Sequence, residues 1–192
     1  MAERRKLWAT EHSRLREAWA AKARAVQSDR PIDMAWVSRC LGEVIDDRTI
    51  VVNEYDLDPT QACFRIPGSF FTTSPAGGLG WGLGAALGAK LAAPDKTVIA
   101  TVGDGSYIFG VPIAAHFVSR AAQLPILVVV FNNQAWNAVK RATLSITPDG
   151  WAARTGVPLY ELDPSPDYEL ICRAAGGHGE RVEDPEALPE AL

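Results

Sequence analysis

Three short runs along the chain are almost continuously apolar and rich in β-branched residues: Thr49–Asn53 (TIVVN), 97–102 (TVIATV) and 126–131 (ILVVVF). A half-exposed strand alternates apolar with polar residues, whereas a run without alternation is the mark of a strand buried on both faces. Segments of helical character separate these runs. Residues 78–91 are small and apolar, and residues 111–122 carry Pro112 in the expected first turn. Upstream, Met34, Val37 and Leu41 share one helical face, with Asp33 placed to cap it. This alternation predicts an α/β fold: three layers, a mostly parallel sheet with helices on both faces. Its strand C-termini would line one edge, where open α/β sheets bind ligands.

The two ends of the chain read differently. Residues 1–30 hold eight Lys/Arg against four acids and neither Gly nor Pro. Leu7, Trp8, Leu15 and Trp19 fall at helical spacing on a thin stripe. The expectation is a linker helix over 1–30, ended by Pro31, ahead of a ligand-binding domain over 31–192. A membrane-surface helix fits less well, because acids are interspersed and the stripe is narrow. Beyond residue 145 the pattern weakens into turns. A helix is expected over 167–175, a short strand over 178–182, and a last helix from Asp184 that stops at Leu192 without a C-cap, as if the chain were truncated.

Composition narrows the function. The chain has 192 residues, a net charge of −4, 47% hydrophobic and 22% charged residues, which fits a folded domain. No basic footprint for nucleic acid covers it, and no apolar run approaches the roughly 20 residues of a bilayer span. Cys40, Cys63 and Cys172 lie far apart with no CxxC pair, suggesting free thiols in a reducing cytoplasm. His12, His116 and His178 have no partner at catalytic or metal-binding spacing.

The chemistry-bearing residues fall at two strand ends. Gly103-Asp104-Gly105-Ser106 follows the second strand and Asn132-Asn133 follows the third, with 26 residues between Gly105 and Asn132. That interval accommodates one helix and one strand, so the two loops converge. They offer a carboxylate, carboxamide oxygens and glycine-exposed amides, which suit a hard cation such as Mg²⁺ shared with a phosphate. Taken singly, Asp104 could cap the following helix and the asparagines could form a turn. Other phosphate motifs fail: Gly84 to Lys90 has the wrong spacing for a P-loop, and no GxGxxG can be read in 77–84. Gly80, Gly84 and Gly88 leave one helix face bare, as close packing on a neighbour or ligand would require.

The Gly103-Asp-Gly-Ser motif, followed after 26 residues by Asn132-Asn133 and preceded by the glycine-rich 77–91 segment, resembles the signature of thiamine-diphosphate-dependent enzymes. The similarity is greatest to the diphosphate-binding domain of acetolactate synthase large subunits, and extends to benzoylformate decarboxylase. It implies thiamine diphosphate and Mg²⁺ as cofactors. Asp104 and Asn133 would ligate the metal by side-chain oxygens, and Ala135 by its carbonyl. Gly103, Gly105 and Ser106 would surround the diphosphate. Leu79 would be the wedge that bends the cofactor, with the Gly77 carbonyl, beside Gly78, meeting the aminopyrimidine. Trp136 would lie near the diphosphate or the entrance; plain core packing is the alternative for both Leu79 and Trp136.

The resemblance also implies what this sequence lacks. The glutamate that activates the cofactor belongs to a pyrimidine-binding domain, supplied by a second chain or another region in a homo- or hetero-oligomer. Glu54 stands just ahead of the glycine-rich segment, on the diphosphate half, and is unsuited to that role. The expected function is the cofactor half-site of an enzyme acting on 2-oxo acids, with acetolactate-synthase-like carboligation of pyruvate as the specific expectation. A decarboxylase subunit of a split enzyme, a non-catalytic cofactor-binding homologue, and a generic nucleotide-binding domain are the alternatives.

Overall fold

A computed structural model describes residues 1–72, 76 and 78–192. Four strands form one sheet in the order β2-β1-β3-β4: β1 (Thr49–Asn53), β2 (Phe70–Thr72), β3 (Thr97–Gly103) and β4 (Leu127–Phe131). Every pairing is parallel. Val51 lies opposite Phe70 and Ile99, and Ile99 opposite Leu127. Asn53 pairs with Thr72 and Thr101, and Gly103 with Phe131, so all four C-terminal ends reach the same edge.

Side-chain alternation sorts the core into two layers. On one face Val51, Ile99 and Phe131 pack with Leu41 and Val37 of helix α2 (Met34–Val44). On the other, Ile50, Val52, Val98 and Ala100 pack against Ala86 and Ala89 of α3 (Trp81–Ala92). The expected layered sheet is therefore present. Asp33 caps α2 as its position predicts, its carboxylate accepting the Ala35 N–H at 2.7 Å. A third cluster joins Leu83 and Val102 to Tyr107 on α4 (Asp104–Phe109) and Tyr168 on α8 (Tyr168–Ala174). The crossover from β3 to β4 also includes α5 (Pro112–Ala121).

Several sequence expectations need correction. β1 is buried throughout, but β4 is only half-buried over its first four residues, because it is a sheet edge with a neighbour on one side alone. Helix α3 begins at Trp81 rather than residue 78, because Gly80 has φ +84 and breaks the helical path ahead of it. No strand forms over 178–182. That stretch is held as coil against α8 by the Arg173 side chain donating to the Gly179 carbonyl at 2.9 Å. The last helix, α9, is a single turn, Leu188–Ala191, since the Asp184 carboxylate accepts the Glu186 N–H and sets a turn first. Of the bare stripe only Gly80 is closely packed, against Gly110, while Gly84 and Gly88 face open space among the described residues; Gly82, off the stripe, is crowded by Glu54 and Val102.

Elements without a strong local signal also appear. Strand β2 has three residues, and α6 (Asn137–Ile146) and α7 (Trp151–Thr155) follow β4 with no buried residue in either. At the N-terminus, α1 (Ala2–Ala25) leaves Leu7 and Trp8 exposed and buries only Ala23. It is tied to the body where Gln61 Nε2 donates to the Trp19 carbonyl at 3.0 Å. Among the described residues, no helix is long and apolar enough to cross a membrane.

Candidate functional site

The shared edge of the sheet brings the two motif loops together around one carboxylate. Asp104 is the first residue of α4, directly after β3, and only 1% exposed. Its Oδ1 accepts the N–H of Gly105 at 2.8 Å. Its Oδ2 accepts the N–H of Ala135, in the loop after β4, at 3.2 Å. One side chain thus bridges two strand tips. Gly103, not Asp104, is the N-cap of α4; Asp104 accepts the amide of the next helical residue and reaches across to the loop after β4.

The β4 loop has its own scaffold. The Asn132 Oδ1 accepts the Gln134 N–H at 3.1 Å, and its Nδ2 donates to Ser165 Oγ at 3.0 Å. An isolated antiparallel bridge pairs Ala135 with Glu161, with Trp136 N–H donating to the Tyr160 carbonyl and Leu162 N–H to the Gln134 carbonyl, both at 2.7 Å. These bonds leave the Asn133 side chain exposed and the Ala135 carbonyl without a hydrogen bond among the described residues.

A cleft of about 60 Å³ opens between the loops, and Leu79, Gly103, Asp104, Gly105, Ser106 and Asn133 contribute to it, with Ala135 and Trp136. Nearly every residue singled out from the sequence therefore meets at one place. Gly78 is exposed and does not line the cleft; Gly77 lies outside the described residues. The glycine at 105 is required by packing: a Cβ there would sit 2.6 Å from Cε3 of the Trp136 ring. Trp136 in turn meets Phe109 edge-on, with ring centroids 6.5 Å apart. Its indole packs on Gly105 and forms a wall of the cleft.

Asp56 and Arg141, which sequence reasoning missed, also line the cleft. Neither belongs to a periodic or motif signal; only the fold carries them there. Burial, and then the nearby Asp104 carboxylate, push the Asp56 acid above its ordinary value, opposed by Arg141. Burial likewise pushes Asp104 up, opposed by the amides of Gly105 and Ala135. Among the described residues Asp104 has no ion-pair partner. A buried carboxylate held only by neutral backbone amides retains much of its desolvation cost. It is therefore suited to a cation. With the Asn133 carboxamide and the Ala135 carbonyl at the same cleft, the oxygen donor set fits a hard divalent ion such as Mg²⁺.

Comparison with known proteins places this arrangement. The family described as "Thiamine pyrophosphate enzyme, C-terminal TPP binding domain" matches residues 58–192, well over half of the chain. The large subunit of acetolactate synthase isozyme 2 from Escherichia coli is 30% identical over 126 residues, covering 66% of this chain and 22% of that protein. A probable 2-ketoarginine decarboxylase from Pseudomonas aeruginosa is 31% identical over 126 residues, covering 66% and 20%. The solved structure of a thiamine diphosphate-dependent 4-hydroxybenzoylformate decarboxylase from Rhodococcus jostii superposes with a TM-score of 0.73 at 29% identity, covering 85% of this chain and 30% of that one. The chain spans between a fifth and a third of the length of these relatives.

Proposed function

Given that the chain belongs to the thiamine pyrophosphate enzyme family, as its C-terminal TPP-binding domain, we propose that it holds the diphosphate end of that cofactor through Mg²⁺. Residues 31–192 form the binding domain and 1–30 the linker to the rest of the enzyme. Asp104, Asn133 and the Ala135 carbonyl ligate the metal. Gly103, Gly105 and Ser106 surround the diphosphate, and Trp136 closes the cleft beside it. Leu79 supports the cofactor from beneath, with Gly77 and Gly78 on the approach to the aminopyrimidine. The observation that carries this reading is Asp104: buried, bridging two strand tips, and without a cationic partner among the described residues.

When bound, thiamine diphosphate supplies the nucleophilic carbon and the electron sink for breaking the bond between a 2-oxo acid's carbonyl and carboxylate carbons. This chain's residues bind and orient; they exclude water from the metal-facing side through Trp136 and Leu79. The activating glutamate comes from a pyrimidine-binding domain on another chain or region, within an oligomer. Carboligation of pyruvate, as in acetolactate synthases, is the specific reaction proposed, consistent with the sequence relatives. A 2-oxo acid decarboxylase is the second reading, favoured by the superposition of solved benzoylformate-type decarboxylases on this chain.

Calorimetric titration of thiamine diphosphate into the full chain, with and without Mg²⁺, tests the site. Binding should require the metal. Asp104→Ala should weaken it on the order of 100-fold or more, exceeding the 10–100-fold typical of groups that only orient metal ligands. Equal affinity for the parent and Asp104→Ala would overturn the assignment.

A further inference from the structure

Glu54 stands at the C-terminal end of β1, one residue before Tyr55 and Asp56 of the cleft wall, yet it does not line the cleft itself. Its two carboxylate oxygens are committed elsewhere. Oε1 accepts the Gly80 N–H at 2.5 Å and Oε2 accepts the Gly82 N–H at 2.7 Å. Gly80 is the N-cap of α3 and Gly82 its second residue. The first four N–H groups of a helix lack intrahelical partners, and a side chain at the N-cap ordinarily satisfies one. Glycine has no such side chain, and α3 has no cap from its own N-cap residue. The cap is provided from a neighbouring strand instead, where a carboxylate also suits the helix dipole.

The fit around this contact is close on both sides. A Cβ at residue 82 would lie 2.8 Å from Glu54 Oε2, and one at residue 80 would lie 2.7 Å from the backbone nitrogen of Gly110, at the end of α4. The segment entering α3 is held in a slot between Glu54 and the α4 C-terminus. Leu79 is the residue immediately before this slot, and among the described residues of the glycine-rich segment it alone lines the cleft. Glu54 is itself anchored, its N–H donating to the Thr101 carbonyl of β3 at 2.9 Å. The strand that leads to Asp104 and the wall opposite are thus referenced to one frame.

We infer that Glu54 is a positioning residue, which clamps the α3 entrance so that Leu79 is presented to the cofactor at a set height above the Asp104 loop. The inference deepens the reading of Leu79 given above and rests on it for its functional consequence. Its structural half, the clamp, stands on the two hydrogen bonds alone.

Hydrogen exchange on the full chain without ligand tests the clamp. Glu54→Ala should speed exchange of the amides at 80 and 82 by roughly 5- to 30-fold, as loss of a cap does. The amides of 97–103 should stay unchanged, and Glu54→Gln, which retains one acceptor oxygen, should give an intermediate effect. Unchanged exchange at 80 and 82 in Glu54→Ala, or equal acceleration at 97–103 in both variants, would overturn it. Thiamine diphosphate affinity in the presence of Mg²⁺ tests the link to Leu79. Leu79→Ala combined with Glu54→Ala should bind no more weakly than Leu79→Ala alone; additive losses would overturn the positioning role. A parent chain that takes up no thiamine diphosphate would instead defeat the proposed function, while the exchange experiment would still decide the clamp.

Discussion

Glu54 and Asp104 follow adjacent, parallel-paired strands, and each accepts two backbone N–H groups, yet the two carboxylates do different things. Both partners of Glu54 belong to one helix entrance, and together they complete the cap of α3. The partners of Asp104 belong to two different elements, the start of α4 and the loop after β4, and the same carboxylate faces a cleft shared with Asp56 and Asn133. Burial raises the Asp104 acid, and no cation within the described chain offsets the cost. Position at a strand tip is therefore not what makes a carboxylate a ligand. What matters is whether its surroundings leave its charge uncompensated.

That contrast can be broken most sharply at Asp104 itself. Asp104→Asn keeps one acceptor oxygen for the bridging amides but removes the charge. Mg²⁺-dependent binding of thiamine diphosphate should fall on the order of 100-fold, while the melting temperature of the metal-free chain should move by only a few degrees. A large loss of stability with binding retained would assign Asp104 to the scaffold alone. Calorimetry and a thermal melt on the same variant distinguish these outcomes.

The glycines of α3 sharpen the Glu54 side. Gly80→Ala forces a side chain onto a residue at φ +84 and against the Gly110 backbone, so urea denaturation should show a loss of about 2–4 kcal/mol. Gly84→Ala, four residues on in the helix interior and facing open space, should instead gain about 0.5–1 kcal/mol. If both substitutions shift stability in the same direction, the slot at the helix entrance is not the constraint described here.

The smallest expected effect lies under α4. Tyr107 is buried, and its Oη lies 2.6 Å from Nε2 of His116 on α5. Burial holds His116 below its ordinary value of 6.5, so it stays neutral in the folded chain where the unfolded chain is protonated. The unfolded state then binds more protons, and stability should decline as pH falls below about 6.5. His116→Gln should flatten this part of the stability profile without altering Mg²⁺-dependent binding near pH 7. An unchanged acid profile would show that His116 does not titrate across unfolding.

Legibility in the sequence followed physical causes. β1 and β3 were readable because burial on both faces removes polar positions from the pattern, and Asp33 was readable as a cap because capping is local. β2 escaped because three residues at a sheet edge carry no periodic signal. α6 carries little signal because it buries nothing, and 178–182 forms no strand because the Arg173 side chain holds the Gly179 carbonyl as coil against α8. The family resemblance singles out Trp136, but only the folded chain shows its ring lying on Gly105. Asp56 and Arg141 went unnoticed, since nothing in their neighbours' pattern marks a cleft.

Order and burial pattern along the chain were enough to specify a parallel sheet and to set Asp104 and Asn133 at the edge formed by its strand C-termini, because strand burial and crossover length are local properties. Which amides Asp104 and Glu54 would take, and that one would retain an uncompensated charge while the other closed a helix, needed the folded molecule. Apart from Gly105, which is adjacent to Asp104, those partners lie 26 to 31 residues away along the chain. Hydrogen bonds at such separation depend on how neighbouring loops leave the sheet, and no short-range periodicity encodes that.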